Sequence, residues 1–268
     1  MAETPENLPN HPSPGHKRQQ AAWKLCSDLY EGPRKVRDRG VEYLPKFPRE
    51  PDEKYLARLR GSVLYEWFAR TVRGLTGMVF REPPALAESL PPSIRQAWED
   101  LDLLGSHGRV FWRDRHAEAQ VLGHLVVFVD MSTALRRPYC VAIRADDVLD
   151  GLYDEVDGRP TLVHFRYRAR VLRRKGRYGY REVETVREYN LRQRPDGVRY
   201  VECLVHERQE DAEGRPKDEW ATTETRAMEI DEIPAVTAYH GDRLGPFESR
   251  PPHEALAEEN IKHYNLVS

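Results

Sequence analysis

Cysteine is scarce in this chain. Cys26, Cys140 and Cys203 are an odd number at wide spacing, which fits reduced thiols in a cytosolic environment and matches no zinc pattern. Long apolar runs are missing as well: no stretch approaches the roughly 20 apolar residues needed to span a bilayer, so no membrane partner is expected. The first residues carry Glu3, Glu6 and four prolines where a signal peptide has its apolar core. Synthesis in the cytoplasm is expected. Also absent are the glycine-rich loops that cradle phosphates, the H-E-x-x-H helix of zinc hydrolases and the G-x-S-x-G elbow of serine hydrolases. These absences argue against an ATP-driven motor and against catalysis.

Two residue sets nevertheless invite a chemical reading. Asp130, Asp146, Asp147 and Asp150 could supply the several carboxylates that two-metal nuclease chemistry needs near a scissile phosphate. Against that, Asp130 ends an expected strand, Asp146 or Asp147 fits a helix cap, and no Lys or His stands beside them in a recognisable pattern. The ten histidines are scattered, and pairs such as His107 with His116 or His253 with His263 lack the i, i+4 spacing that puts two imidazoles on one helical face. No catalytic residue, metal or cofactor is expected.

What the chain does contain is charge, at 32% of residues, beside aromatics at 9% and five tryptophans. That combination describes a folded protein with a wide polar surface. At 268 residues it can bury a substantial core, and one main body with appendages is expected. The net charge of -2 hides a strong pattern. Residues 165–200 hold twelve Arg or Lys against four acids, whereas 201–232 hold eleven acids against four bases. Within the basic part, Arg166, Arg168, Arg170, Arg173, Arg174, Lys175 and Arg177, followed by Arg181 and interleaved with Tyr167, Tyr178 and Tyr180, form the best candidate for contact with phosphates or an acidic protein surface. On an alternating strand, residues 166, 168 and 170 share a face. The reading favoured over DNA contact is a solvated sheet face whose arginines pair with the acidic strands after residue 201.

Periodicity predicts the elements. Met1 to about Gln19 has none and is expected to be a mobile tail or an arm that orders only against a neighbour; a short helix follows through Tyr30. Pro45, Pro48 and Pro51 forbid regular helix before Asp52. From there Tyr55, Leu56, Leu59, Val63, Leu64, Trp67, Phe68, Val72 and Leu75 recur at helical spacing, which predicts one long amphipathic helix. Further helices are predicted over 93–104 and 110–122, a buried strand over 124–130, a second strand over 138–143, and a polar turn or short helix over 145–153. An antiparallel meander over 161–172, 178–191, 198–207 and 222–230 is punctuated by Asp157-Gly158, Lys175-Gly176, Pro195-Asp196-Gly197 and Glu213-Gly214. One more strand over 233–239, a loop over 241–252 and a helix from His253 complete the chain. The fold class is α+β, helical in the first half and antiparallel and sheet-rich in the second. Trp67, Phe68, Trp98, Phe111 and Phe128 are expected to anchor the core, and Gly105, Gly123 and Pro234 to fix backbone geometry.

Several ordered blocks resemble the portal proteins of tailed bacteriophages, within a portal-like family known largely by sequence. They are YLPKFPREPDEKYLARLRGSVLYEWFARTVRGLTGMVFREPP over 43–84, LDLLG over 101–105, LGHLVVFVD over 122–130, RPYCVAI over 137–143 with ADDVL over 145–149, EIPAV over 232–236 and PPHEALAEENIKHY over 251–264. The resemblance covers most of residues 40–264. It implies a wing-like α+β body over 41–250 after an N-terminal arm and short helix over 1–40, with 251–268 as the start of a stem-like helix. Family members continue beyond that helix into stem, clip and crown, whereas this chain ends at Ser268, so either a truncated gene product or a remainder encoded separately is expected. The implied function is a structural subunit of the ring at the capsid vertex, through which DNA is packed and ejected. The implied partners are its own copies in a ring of about twelve, the major capsid protein, terminase, a head-tail adaptor and the double-stranded DNA passing through. The implied location is the virion. A second reading, of another class, is a nucleic-acid-binding accessory protein that uses the arginine-rich hairpin over 165–181.

Overall fold

The computed structural model describes residues 5–132, 134–211 and 215–268. The turn expected at Glu213-Gly214 lies outside them. Among the described residues six α-helices precede the first strand: α1 (Pro14–Glu31), α2 (Pro33–Asp38), α3 (Asp52–Gly61), α4 (Trp67–Val79), α5 (Pro92–Glu99) and α6 (Gly108–Leu122). The strands are β1 (His124–Ser132), β2 (Arg137–Arg144), β3 (Val148–Val156), β4 (Arg159–Lys175), β5 (Gly179–Gln193), β6 (Arg199–Glu210), β7 (Pro216–Met228), β8 (Ala235–Tyr239), β9 (Arg243–Gly245) and β10 (Glu248–Ser249), and helix α7 (Glu254–Val267) follows. The fold is α+β, with helices concentrated in the first half and antiparallel sheet in the second.

The chain forms two compact units. One contains the N-terminal residues through Arg18, Ile143–Val236 and Gly245–Glu248; the other contains Gln19–Ala142, Thr237–Leu244 and Ser249–Ser268. The first is built on a five-stranded meander in the order β3-β4-β5-β6-β7. The turns Asp157-Gly158, Gly176 and Gly197 have the positive φ that close such hairpins. Phe165, Tyr167, Tyr189, Val201 and Cys203 are buried on one face, and Phe247 packs against Phe165 with ring centroids 5.2 Å apart. A Cβ at Gly151 would run into that Phe247 ring, so the close packing there requires glycine.

The second unit packs α4, α6 and α7 with a three-stranded sheet in the order β2-β1-β8. Strand β1 is nearly all buried, as its continuous apolar run requires, and Ala119 of α6 packs on Leu125 and Val127 beside Trp112, Cys140 and Ala142. Gly123, at φ 92°, stops α6 in the left-handed conformation and turns it directly into β1. Its carbonyl accepts from the backbone N–H groups of His240 (2.7 Å) and Gly241 (2.9 Å).

Six expectations are corrected. The helix expected to run unbroken from Asp52 to Leu75 is interrupted between Gly61 and Trp67. There Asn260 of α7, fully buried, accepts from the Phe68 N–H (3.1 Å) and donates to the Tyr65 carbonyl (2.8 Å), while the Tyr264 and Ser62 hydroxyls lie 2.6 Å apart. Local periodicity cannot register competition from a helix 190 or more residues away. The helix expected over 93–104 ends at Glu99, because the carboxylates of Asp100 and Asp102 take the N–H groups of Gly105, Leu104 and Ser106. Trp67 is 42% exposed, its ring tilted against that of His263 with centroids 4.4 Å apart, and is not a core anchor. The N-terminal arm is helical from Pro14, and the Ser13 N–H donates to the Leu149 carbonyl (2.8 Å) in its own unit. Of residues 145–153, expected as a polar turn or short helix, 145–147 form a short 3-10 helix and 148–153 belong to strand β3, and the loop over 241–252 carries β9 and β10.

Candidate functional site

The seven basic residues singled out by the sequence lie on β4 and in the turn that follows it. Strand alternation puts Arg166, Arg168 and Arg170 on one face, and the register sets them opposite Glu188, Val186 and Glu184 of β5. Their charges are met by carboxylates inside the same unit. Arg166 donates to the His11 carbonyl at 2.8 Å and lies 3.8 Å from Asp150. Arg168 lies 3.2 Å from Glu184, which also holds Arg208 of β6 at 3.1 Å. Arg170 lies 3.5 Å from Glu182. On the other face Arg173 and Arg181 stand directly opposite each other, a repulsive placement, and each is neutralised from β6, by Glu207 and Glu210 respectively. The expected pairing with the acidic strands after residue 201 is therefore present at Arg173 and Arg181. Closer to the base of the hairpin, at Arg166, Arg168 and Arg170, the partners are instead Asp150, Glu184 and Glu182.

At the tip the compensation stops. Among the described residues, Arg174, Lys175 and Arg177 have no ion-pair partner, and Arg177 sits over the Tyr178 ring at 5.0 Å. An open groove of about 270 Å³ between Arg168, Arg170, Glu182 and Glu184 is lined by two matched ion pairs and offers no uncompensated charge.

The same sheet face carries a polar network that sequence spacing did not single out. His206 of β6 contacts Glu188 (3.0 Å) and Thr222 (3.1 Å), Asn190 donates to Glu188 (2.9 Å), and His164 contacts Asn190 (2.7 Å). The hydrogen bond from His206 pulls the Glu188 carboxyl down to about 2. Only the antiparallel register brings these residues together, so residue spacing along the chain carried no signal of it.

The aspartates considered for metal binding are engaged elsewhere. Asp130 accepts from the Tyr139 hydroxyl (3.1 Å), Asp146 is gripped by two Arg144 nitrogens (2.9 and 2.8 Å), and Asp150 accepts from the Gly151 N–H (2.9 Å). Asp147 is pushed above the usual carboxylate range by burial and by neighbouring Asp146. Among the described residues no group of three or more His, Cys, Asp or Glu is disposed to hold a metal ion. In the helical unit, Ser249 Oγ lies 2.8 Å from Nδ1 of His124, a pair that resembles a nucleophile and its base; both residues are fully buried, which denies substrate access. Cys26 is equally enclosed, and burial pushes its thiol up to about 12, far from a reactive thiolate.

No protein-family model matches this chain, and no curated protein matches it in sequence.

Proposed function

We propose that this chain is a structural subunit of a tailed-phage portal, part of the ring at the capsid vertex through which DNA enters and leaves. The observation that carries the reading is where its family-like blocks meet. Blocks separated by up to 200 residues in sequence meet in the helical unit, namely α4 from the opening run, the α6–β1 junction, most of β2 and α7, while ADDVL and EIPAV fall in the sheet unit. Two of them interlock directly, since Asn260 and Tyr264 of the last block hold the backbone and Ser62 of the first. Packing between the first and last blocks supports the reading beside the separate strings.

On this reading the protein works by shape and assembly, without catalysis, in a virion and in contact with copies of itself, the major capsid protein, terminase and a head-tail adaptor. Light scattering after size exclusion, with electron microscopy of any heavy peak, tests it. Closed rings are the expected result. A strictly monomeric protein that is also absent from purified virions overturns the reading.

A further inference from the structure

We propose that the tip of the β4–β5 hairpin is a docking surface for the phosphate backbone of a nucleic acid, with Arg174, Lys175 and Arg177 as its cations and Tyr178 and Tyr180 as its stacking faces. The inference stands apart from the portal reading and rests on how charge is distributed along the hairpin.

From Arg166 to Arg173, and again at Arg181, a carboxylate of the same unit meets each arginine. Beyond that point three cations within four residues are left with no acid among the described residues. Their mutual repulsion works against closing the hairpin turn, which a polyanion would relieve. The tip is also open to solvent. Registered pairing with β3 reaches Tyr167, and registered pairing of β5 with β6 begins at Thr185, so between them the hairpin is registered only with itself. Every residue from 172 to 182 is exposed.

Two large rings accompany the charge. Tyr178 is 79% exposed and Tyr180 67%, beside Leu172 at 70%. Arg174 and Tyr180 are directly opposite, hence on one face. A cation beside an exposed ring is the pairing that nucleic acids engage through phosphate and base together. A second copy of this chain fits less well, because the acids closest along the sheet are committed: Glu207, Glu210, Asp218 and Glu219 pair with Arg173, Arg181, Arg208 and Lys217.

Fluorescence anisotropy with a labelled duplex of about 30 base pairs, and with a single strand of the same length and sequence, tests the inference across a salt series. The native protein is expected to bind at low salt with affinity that falls steeply as salt rises. The triple variant R174Q/K175Q/R177Q is expected to lose at least about tenfold in affinity and to flatten the slope of log K against log salt by about two to three, one step per lost phosphate contact. Arg192→Gln, at the other end of the sheet and paired with Glu202, should leave binding unchanged. Absence of binding by the native protein overturns the inference, as does an unchanged slope in the triple variant or an equal loss in Arg192→Gln. Loss of self-association in the triple variant, without DNA binding by either protein, overturns it in favour of a second copy. The Y178A/Y180A variant separates the two nucleic acids: loss for the single strand alone assigns the tip to unpaired bases, and retention of both overturns the stacking role. Ring formation is read independently, so either proposal can fail alone.

Discussion

In the five-stranded sheet, charge lies on open faces in ladders, where arginines from Arg166 to Arg173 meet carboxylates of other strands and Glu184 serves both Arg168 and Arg208. In the helical unit, charge that enters the interior is fixed by a single dense contact. Asp28, only 2% exposed, accepts from Arg39 Nε (2.7 Å) and Nη2 (2.8 Å) and from the Tyr43 hydroxyl (2.8 Å). The same unit buries Trp23, Leu29, Phe68, Phe128 and Tyr264 almost completely. The difference teaches where each unit is vulnerable. Exposed pairs are screened by water and contribute little singly, whereas a buried carboxylate stripped from its partners, or partners stripped of it, is costly.

The sharpest way to break this contrast is Asp28→Ala. It leaves the Arg39 guanidinium and the Tyr43 hydroxyl without their acceptor, and a loss of about 3 to 5 kcal/mol in urea unfolding is expected. Next is Asn260→Ala, which strands the Phe68 N–H and the Tyr65 carbonyl at the break between α3 and α4. An expected loss of about 2 to 3 kcal/mol should come with faster hydrogen exchange over 62–68 and unchanged exchange in β4 and β5. Protection lost equally in both units would show that they unfold as one body and erase the distinction.

Acid sharpens the comparison further. Burial holds His116, His240 and His253 below the ordinary histidine value of 6.5, and at His240 the charges of the other two imidazoles add to it. A folded-state value below the unfolded one means that the unfolded chain takes up protons first, so this stability is full above pH 6.5 and is lost as pH falls below it. In the sheet, Glu188 is lowered from 4.5 to about 2, so its contribution persists down to pH 4.5 and fades only from there towards 2. Four of the five tryptophans, Trp23, Trp67, Trp98 and Trp112, belong to the helical unit and one, Trp220, to the sheet. Tryptophan emission should therefore change at higher pH than the sheet signal in circular dichroism. Coincident transitions would refute the assignment. The smallest effect is expected for Glu184→Gln, which weakens the links to Arg168 and Arg208 and should cost about 1 kcal/mol or less, shrinking further in high salt.

Much of the fold was legible because it depends on neighbours in sequence. Asp157-Gly158 and Gly197 demanded turns that only positive φ provides, and Gly123 fixed the passage from α6 to β1. The alternation over β4 to β6 announced paired strands before any partner was known. Legibility failed where a distant group outbid the local pattern. The stripe from Tyr55 to Leu75 is helical in period, yet Asn260 and Tyr264 claim the backbone and hydroxyl that interrupt it. Trp67 has the composition of a core anchor and lies instead against His263 on the surface. Over residues 165–200 the sequence could count twelve bases against four acids but could not assign which base meets which acid.

The amino-acid order alone therefore determined the α+β class, the meander and its turns, and the segregation of charge along the chain, since each follows from propensities and periodicities that act over a few residues. Only the tertiary structure decided that α3 and α4 are separate, that Asp28 carries a buried network, and that of seven candidate cations Arg166, Arg168, Arg170 and Arg173 are neutralised while Arg174, Lys175 and Arg177 meet no acid among the described residues. Those outcomes rest on cross-strand register and on contacts between residues tens to hundreds of positions apart, which set the local electrostatics that no sequence window contains.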